Sequence, residues 1–308
     1  MSILYQGAYV DEKYGSKFVD TLFENNWLID GVTYTSDYSS GSVDAGSFVF
    51  LKQDASNNNA PETVGANYNK RKYSNTRITI DLLNQYTESE QIPRATVAAT
   101  APSVIENTIK IQAKQIATRQ MRSALACLLT EAGHKDFGKS ALTADNITNR
   151  ILAAATEGVD EFGDIDTILM SPKNYAMLVS VLPKTQITPT ANEETVRNGL
   201  RIKSMNWSGI NIYAVPGLTN RKSLPYSYRT RSDNTETTKT AEASTIKDVN
   251  FIAYNHNAFA MMTLLDFVGA YDSHDFPGVE INSVATNGFG LIYPEHVIID
   301  TASASASE

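Results

Sequence analysis

The spacing of apolar residues changes several times along this chain, and each change marks a different element. Near the start, Tyr14, Phe18 and Leu22 recur every fourth residue in DEKYGSKFVDTLFENNW, with Phe23 alongside. That spacing predicts a short amphipathic helix. Nothing before it could build a core, so its stripe must dock further along the chain or on another copy. From 46 to 81 the pattern becomes alternation: GSFVFLK and NTRITIDL interleave apolar and polar residues, as half-buried strands do. Between them QDASNNNAPETVGANYNKRKYS is polar and aperiodic. Two strands joined by so wide a tip predict either a long projecting arm or a floppy surface insertion, and connections of that length in compact domains are usually functional.

The longest helical signal follows. APSVIENTIKIQAKQIATRQMRSALACLLTEAG has Pro102 at its mouth and a capping-box spacing from Ser103 to Glu106. Ile105, Ile109, Ala113, Ile116, Ala124 and Leu128 track one face. Gly133 stands where a helix commonly ends in the left-handed conformation. About 30 residues at about 1.5 Å each give a rod of ~45 Å, against an average helix of about 11 to 12 residues. Glu106, Lys110 and Lys114 fall on the outer face, the first two spaced to pair. This helix reads as a spine.

Beyond it, TADNITNRILAAATE predicts a helix capped at Thr143, and TILMS a buried strand running into a helix opened by Pro172. GINIYAVPGL is a further strand with a turn at Pro216-Gly217. Strands alternating with helices predict a small mixed α/β module between about 136 and 250. The polar, Thr-rich segment 219–247 reads as an insertion on that module. The chain then returns to strands in NFIAYNHNAFAMMTLL and GVEINSVATNGFGLIYPEHVIID, and ends in the low-complexity TASASASE. The class is α+β, with no internal repeat.

Composition narrows the function. With 308 residues, 42% hydrophobic and 19% charged, the chain can bury a proper core and is too apolar for wholesale disorder. A net charge of −8 argues against broad nucleic-acid binding, which needs an excess of Lys and Arg; an acidic surface would leave packed DNA mobile. Cys127 is the single cysteine, so no internal disulfide forms and a reducing compartment is expected. MSILYQGAYVDEKYG has no basic segment followed by a long apolar run, and AFAMMTLL is far short of a membrane span. Synthesis in a cytosol is expected.

One motif asks for a decision. GHKDFGKS, Gly133 to Ser140, fits the phosphate-cradling spelling G-x-x-x-x-G-K-[ST], in which Lys139 would hold phosphates and Ser140 a magnesium ion. By composition such a match arises in about 1% of chains of this size. Its required context, a buried strand before and a helix opening at the Lys-Ser pair, is missing from the pattern: the spine precedes it, and the next helix is capped at Thr143. The only partner acid on a suitable run is Asp300, at the end of VIID. The match is read as accidental. Asp272, His274 and Asp275 in YDSHDFPG lack a third identifiable ligand and read as a polar turn before Pro277-Gly278. His134, His256 and His296 are scattered, Asp164 and Asp166 belong to the turn before TILMS, and Cys127 lies inside the apolar spine. No catalytic residue, cofactor or metal is assigned.

The order of parts resembles the tailed-phage major capsid protein family, the Hong Kong 97 fold. The likeness lies in SVIENTIKIQAKQIATRQMRSALACLL, in ILMSPKNYAMLVSVL with INIYAVPGL, and in NFIAYNHNAFAMMTLL. It implies an N-terminal arm over 1–45, an extended loop over 46–81, and a peripheral domain with the spine over 82–135. It further implies an axial domain over 136–250 carrying the 219–247 insertion, and return strands and tail over 251–308. It implies self-assembly in pentamers and hexamers into an icosahedral shell around double-stranded DNA, in a virion built in the host cytoplasm. A separate scaffolding protein and a portal are the implied partners, because no long charged helical segment precedes the arm. Contacts between copies are expected at Phe18, Leu22, Lys70, Arg71, Lys72 and Arg77. The alternatives are a bacterial nanocompartment shell enclosing an enzyme and, in another class, a nucleotide hydrolase using Lys139 and Ser140.

Overall fold

The computed structural model describes residues 12–24, 46–55, 73–93, 96, 103–157, 165–182, 204–219, 224–232, 235–272 and 277–302. The spine is helix α2, Ser103–Glu131, 29 residues long. Ile109, Ala113, Ile116, Ala124 and Leu128 of the predicted face are completely buried, and Ile105 is partly so. Its two halves serve different cores, which is why one helix has to be this long.

The first half of α2 packs on a three-stranded antiparallel sheet ordered β11-β12-β3. Its strands are β3, Asn84–Pro93; β11, Phe259–Asp272; and β12, Gly278–Leu291. Ile109, Ala113 and Ile116 meet Leu265, Val268, Ile281 and Ala285 there. Helix α1, Glu12–Glu24, closes the same core with Phe18 and Leu22, which are 0% and 2% exposed. The expectation that these two residues bind another copy is therefore corrected. Their stripe finds its apolar partner on the spine of its own chain, where Lys17 also pairs with Glu106 at 2.6 Å. Tyr14 and Phe23 side chains, and residues 1–11 and 25–45, lie outside the described residues. Strand β3 was not anticipated: in NQYTESEQIP only Tyr86 and Ile92 are apolar and buried.

The second half of α2, from Ala124 to Leu129, covers one face of a six-stranded sheet ordered β4-β13-β10-β5-β7-β6. These strands are β4 (His134–Phe137), β5 (Thr167–Met170), β6 (Ser204–Trp207), β7 (Ile210–Ala214), β10 (Val249–Tyr254) and β13 (Val297–Thr301). The other face carries α3, Ile147–Glu157, and α4, Pro172–Val181, through Ile151, Ala154, Tyr175 and Leu178. Every residue of β5, β10 and β13 is buried, so their apolar runs show no alternation. Ser171 caps α4 with Pro172 behind it. The cap read at Thr143 lies a turn too early: α3 starts at Ile147, behind Asn146, whose carbonyl accepts from Arg150 N–H at 2.9 Å, while Thr143 opens the preceding turn, its carbonyl accepting from Ile147 at 3.1 Å and its N–H donating to Asn146 Oδ1 at 2.8 Å.

Two readings change. Gly133 is not a left-handed terminator, since positive φ among the described glycines is confined to Gly46, Gly138 and Gly209. Its N–H donates to the Pro294 carbonyl at 2.8 Å, and a Cβ would lie 2.8 Å from that same oxygen; close backbone approach is the reason for glycine. The 219–247 segment docks on the spine as well as following the α/β module. It folds as a hairpin, β8 (Tyr226–Ser232) with β9 (Thr235–Ala241), then helix α5, Ala243–Asp248. Tyr226, Tyr228, Ala241 and Ile246 join the core that Leu125 and Leu128 occupy. Four apolar residues suffice to anchor an otherwise polar stretch.

Candidate assembly surface

The predicted arm is an antiparallel pair, β1 (Ser47–Ala55) with β2 (Tyr73–Asp81), in register from Ser47↔Asp81 to Ala55↔Tyr73. The pair forms a sheet of its own. Its base is held hard: Phe48, Phe50 and Ile80 pack with Ala260, Met262 and Ile292. Leu82 N–H donates to the Gly46 carbonyl at 2.8 Å, and Arg231 on β8 faces Asp81 at 3.6 Å. Arg77 is exposed on β2. Lys70, Arg71 and Lys72 lie outside the described residues.

Beside that base a buried polar chain ties the sheet to the spine. Gln112 donates to the Ile281 carbonyl at 3.0 Å and accepts from Ser283 at 2.7 Å. Gln120 donates to Asn287 Oδ1 at 2.8 Å, and Asn287 donates to Thr263 at 2.8 Å. From Gln112 to Gln120 the helix rises about 12 Å, and from Ser283 to Asn287 the strand advances about 13 Å. The equal advance shows that α2 and β12 run side by side in one sense, in fixed register. Asn84 extends the chain to β8: its amide accepts from Arg229 N–H at 2.7 Å and donates to Arg229 O at 3.0 Å, as a neighbouring strand would. Sequence reasoning did not single out these glutamines; Gln112 and Gln120 are both completely buried. They fall on the apolar stripe, at the spacing of Ile109, Ile116 and Ala124, which is the signal that could have found them.

The phosphate-loop spelling has another use. Gly138 and Lys139 both have positive φ, 80° and 48°, and the turn they make closes on Arg150 of α3. The guanidinium donates to Ser140 Oγ at 2.6 Å and to Asp300 Oδ1 and Oδ2 at 2.6 and 2.5 Å. A Cβ on Gly138 would stand 1.6 Å from Arg150 Nη2, so Gly138 admits the arginine. Asn250 completes the cluster, donating to Asp300 at 2.6 Å and to the Ser140 carbonyl at 2.9 Å. Asp300, considered above as a metal acid, is wholly buried; burial pushes its carboxyl up, against the opposing pull of Arg150 and Asn250. Lys139 is exposed.

At the far end of the spine Glu131 accepts from Tyr228 at 2.7 Å and from Lys239, joining α2 to both strands of the β8–β9 hairpin. Burial alone would raise the Glu131 carboxyl, but the hydrogen bonds from Lys239 and Tyr228 outweigh it and hold it below the usual range. Cys127 beneath is fully enclosed, and burial pushes its thiol up. His256 is paired with Asp166, while His274 and Asp275 lie outside the described residues. Among the described residues no group of three His, Cys, Asp or Glu is placed to hold a metal, and no helix is long and apolar enough to cross a membrane. Exposed large apolar side chains are spread over the body: Ile111 on the spine, Leu152 on α3, Val179 and Val181 on α4, Leu224, and Tyr271 on β11.

No family model matches the sequence, and no curated protein matches it. Solved structures match it nearly end to end. The capsid of cyanophage P-SCSP1u gives a TM-score of 0.55 at 14% identity, covering 89% of this chain and 86% of that one. A structure of Mycobacterium phage Che8 gives 0.52 at 16% identity, covering 99% and 96%. The virus-like particle from Pyrococcus furiosus gives 0.53 at 12% identity, covering 94% and 98%. The fold is thus the α+β fold of shell-forming subunits, the Hong Kong 97 type of the tailed-phage capsids.

Proposed function

We propose that this chain is the major capsid protein of a tailed bacteriophage, assembling through many copies of itself into an icosahedral shell around double-stranded DNA. The observation that supports this reading is coverage: phage capsid structures match it over most of both chains, so the shared fold is not confined to one segment. In this reading the spine, α1 and the β11-β12-β3 sheet are the peripheral domain. The six-stranded sheet with α3 and α4 is the axial domain, set around five- and six-fold axes. The β1–β2 arm is the extended loop, reaching a neighbouring copy with Arg77 and with Lys70, Arg71 and Lys72. A scaffolding protein and a portal complete the set of partners, and the mature location is the virion. The acidic surface suits the role, because a shell of net charge −8 per chain repels packed phosphates and does not grip them.

The likeness to the Pyrococcus furiosus particle supports a second reading, a nanocompartment shell. Sedimentation and negative-stain microscopy of the purified chain separate the readings by particle content. Closed particles that package DNA when produced with phage packaging proteins support the first. Particles that enclose a co-expressed enzyme and exclude DNA support the second. A protein that stays monomeric at all concentrations, with and without scaffold, contradicts both.

A further inference from the structure

The base of the arm rests on the face of β12 opposite the spine. Ser283, Ala285 and Asn287 point toward α2, and the alternate residues, Gly288 and Gly290 among them, point the other way. Both glycines lie directly under β2. A Cβ at Gly288 would stand 2.8 Å from the Asp81 carbonyl and 2.9 Å from Ile80 Cγ2; one at Gly290 would stand 2.8 Å from Ile80 Cδ1 and Cγ1. Neither has a positive φ, so conformational freedom does not explain them. Across the ladder they pair with Met262 and Ala260, which carry Phe48, Phe50 and Ile80 from above. Glycine inside a strand otherwise weakens it and marks a place where another backbone must come close.

We propose that Gly288 and Gly290 are positioning residues that fix how the β1–β2 arm leaves the body, and so decide whether it meets a neighbouring copy in register. This rests on the shell reading above, although the seating itself belongs to the single chain. The two glycines act through different atoms. A Cβ at Gly290 first meets the Ile80 side chain, which can be shortened; one at Gly288 first meets the Asp81 main chain, which cannot.

The test compares the wild-type chain with Gly288→Ala, Gly290→Ala, Ile80→Ala and both glycine variants combined with Ile80→Ala. Amide exchange is read in the unassembled subunit, and particle yield and shape by microscopy. Gly290→Ala is expected to speed exchange at Phe48, Phe50 and Ile80 about tenfold or more, to leave Ile109 to Leu128 of the spine unchanged, and to give malformed shells or none. Adding Ile80→Ala to Gly290→Ala brings exchange and shells back to the level of Ile80→Ala alone. Adding it to Gly288→Ala brings back neither. Unchanged exchange at the arm base in Gly288→Ala overturns the proposal, as does equal loosening of spine and arm, which would mean simple loss of stability. If the wild-type chain forms no particles the shell reading fails, while the exchange pattern still decides the seating.

Discussion

Asp300 is buried with one cation, Arg150, against it. Removing the cation leaves a buried charge uncompensated, which costs about 3 to 5 kcal/mol. Arg150→Met is therefore expected to lower the urea midpoint steeply, while Arg150→Met combined with Asp300→Leu recovers much of the loss. Lys139→Ala, one residue from the same cluster but exposed, should leave the unfolding free energy within about 0.5 kcal/mol of wild type. Glu131 sets a pH dependence. Its carboxyl titrates lower folded than unfolded, so its contribution is present above the usual carboxylate value and is lost as pH falls through the folded value. The stability difference between wild type and Glu131→Gln should shrink between about pH 6 and pH 3; a difference that grows in acid would reverse the assignment. Cys127, enclosed and held as the thiol, should resist a thiol reagent in the native protein and react once urea unfolds it.

Among the elements, the spine's register is the feature most open to test. Gln120→Ala strands the buried Asn287 amide oxygen and should cost about 1 to 3 kcal/mol in urea unfolding; exposed Gln115→Ala on the same helix should cost less than about 0.5 kcal/mol. The contrast explains what could be read in advance. The spine and arm strands were legible because their apolar spacing fits one period, TILMS because its apolar run is short and unbroken, and the next helix because Ser171 and Pro172 open it. Strand β3 was hidden, since an edge strand with Thr87, Ser89, Glu90 and Gln91 facing water offers two apolar anchors only. The β8–β9 hairpin was read as a bare insertion because Tyr226 and Tyr228 gain their meaning from Leu125 and Glu131, some hundred residues earlier. Phe18 and Leu22 were placed correctly on an apolar stripe and assigned the wrong partner, since periodicity names a buried face without naming what covers it. Gly133 misled in a related way: like Gly288, it is set by a chain segment distant in sequence, which no local pattern reports.

For the whole molecule, two cores share one rod. The sheet β11-β12-β3 and the six-stranded sheet are joined by α2 and by the continuous passage of β10 into β11, through the short turn His256–Ala258. Such a body gives the arm base a fixed seat on β11 and β12, which the proposed shell requires of every copy. Shell formation should accordingly fall sharply when residues 56–72 are replaced by a short Gly-Ser turn, while the subunit keeps its urea midpoint, because the arm base is held by Phe48, Phe50 and Ile80. The central claim is tested most directly by cryo-electron microscopy of the purified full-length chain, alone and with a scaffold. The account predicts closed icosahedral particles whose five- and six-fold clusters are lined by the six-stranded sheet domains, each β1–β2 arm lying on an adjacent copy. Well-folded protein that yields only monomers, or particles whose arms touch no neighbour, would contradict it.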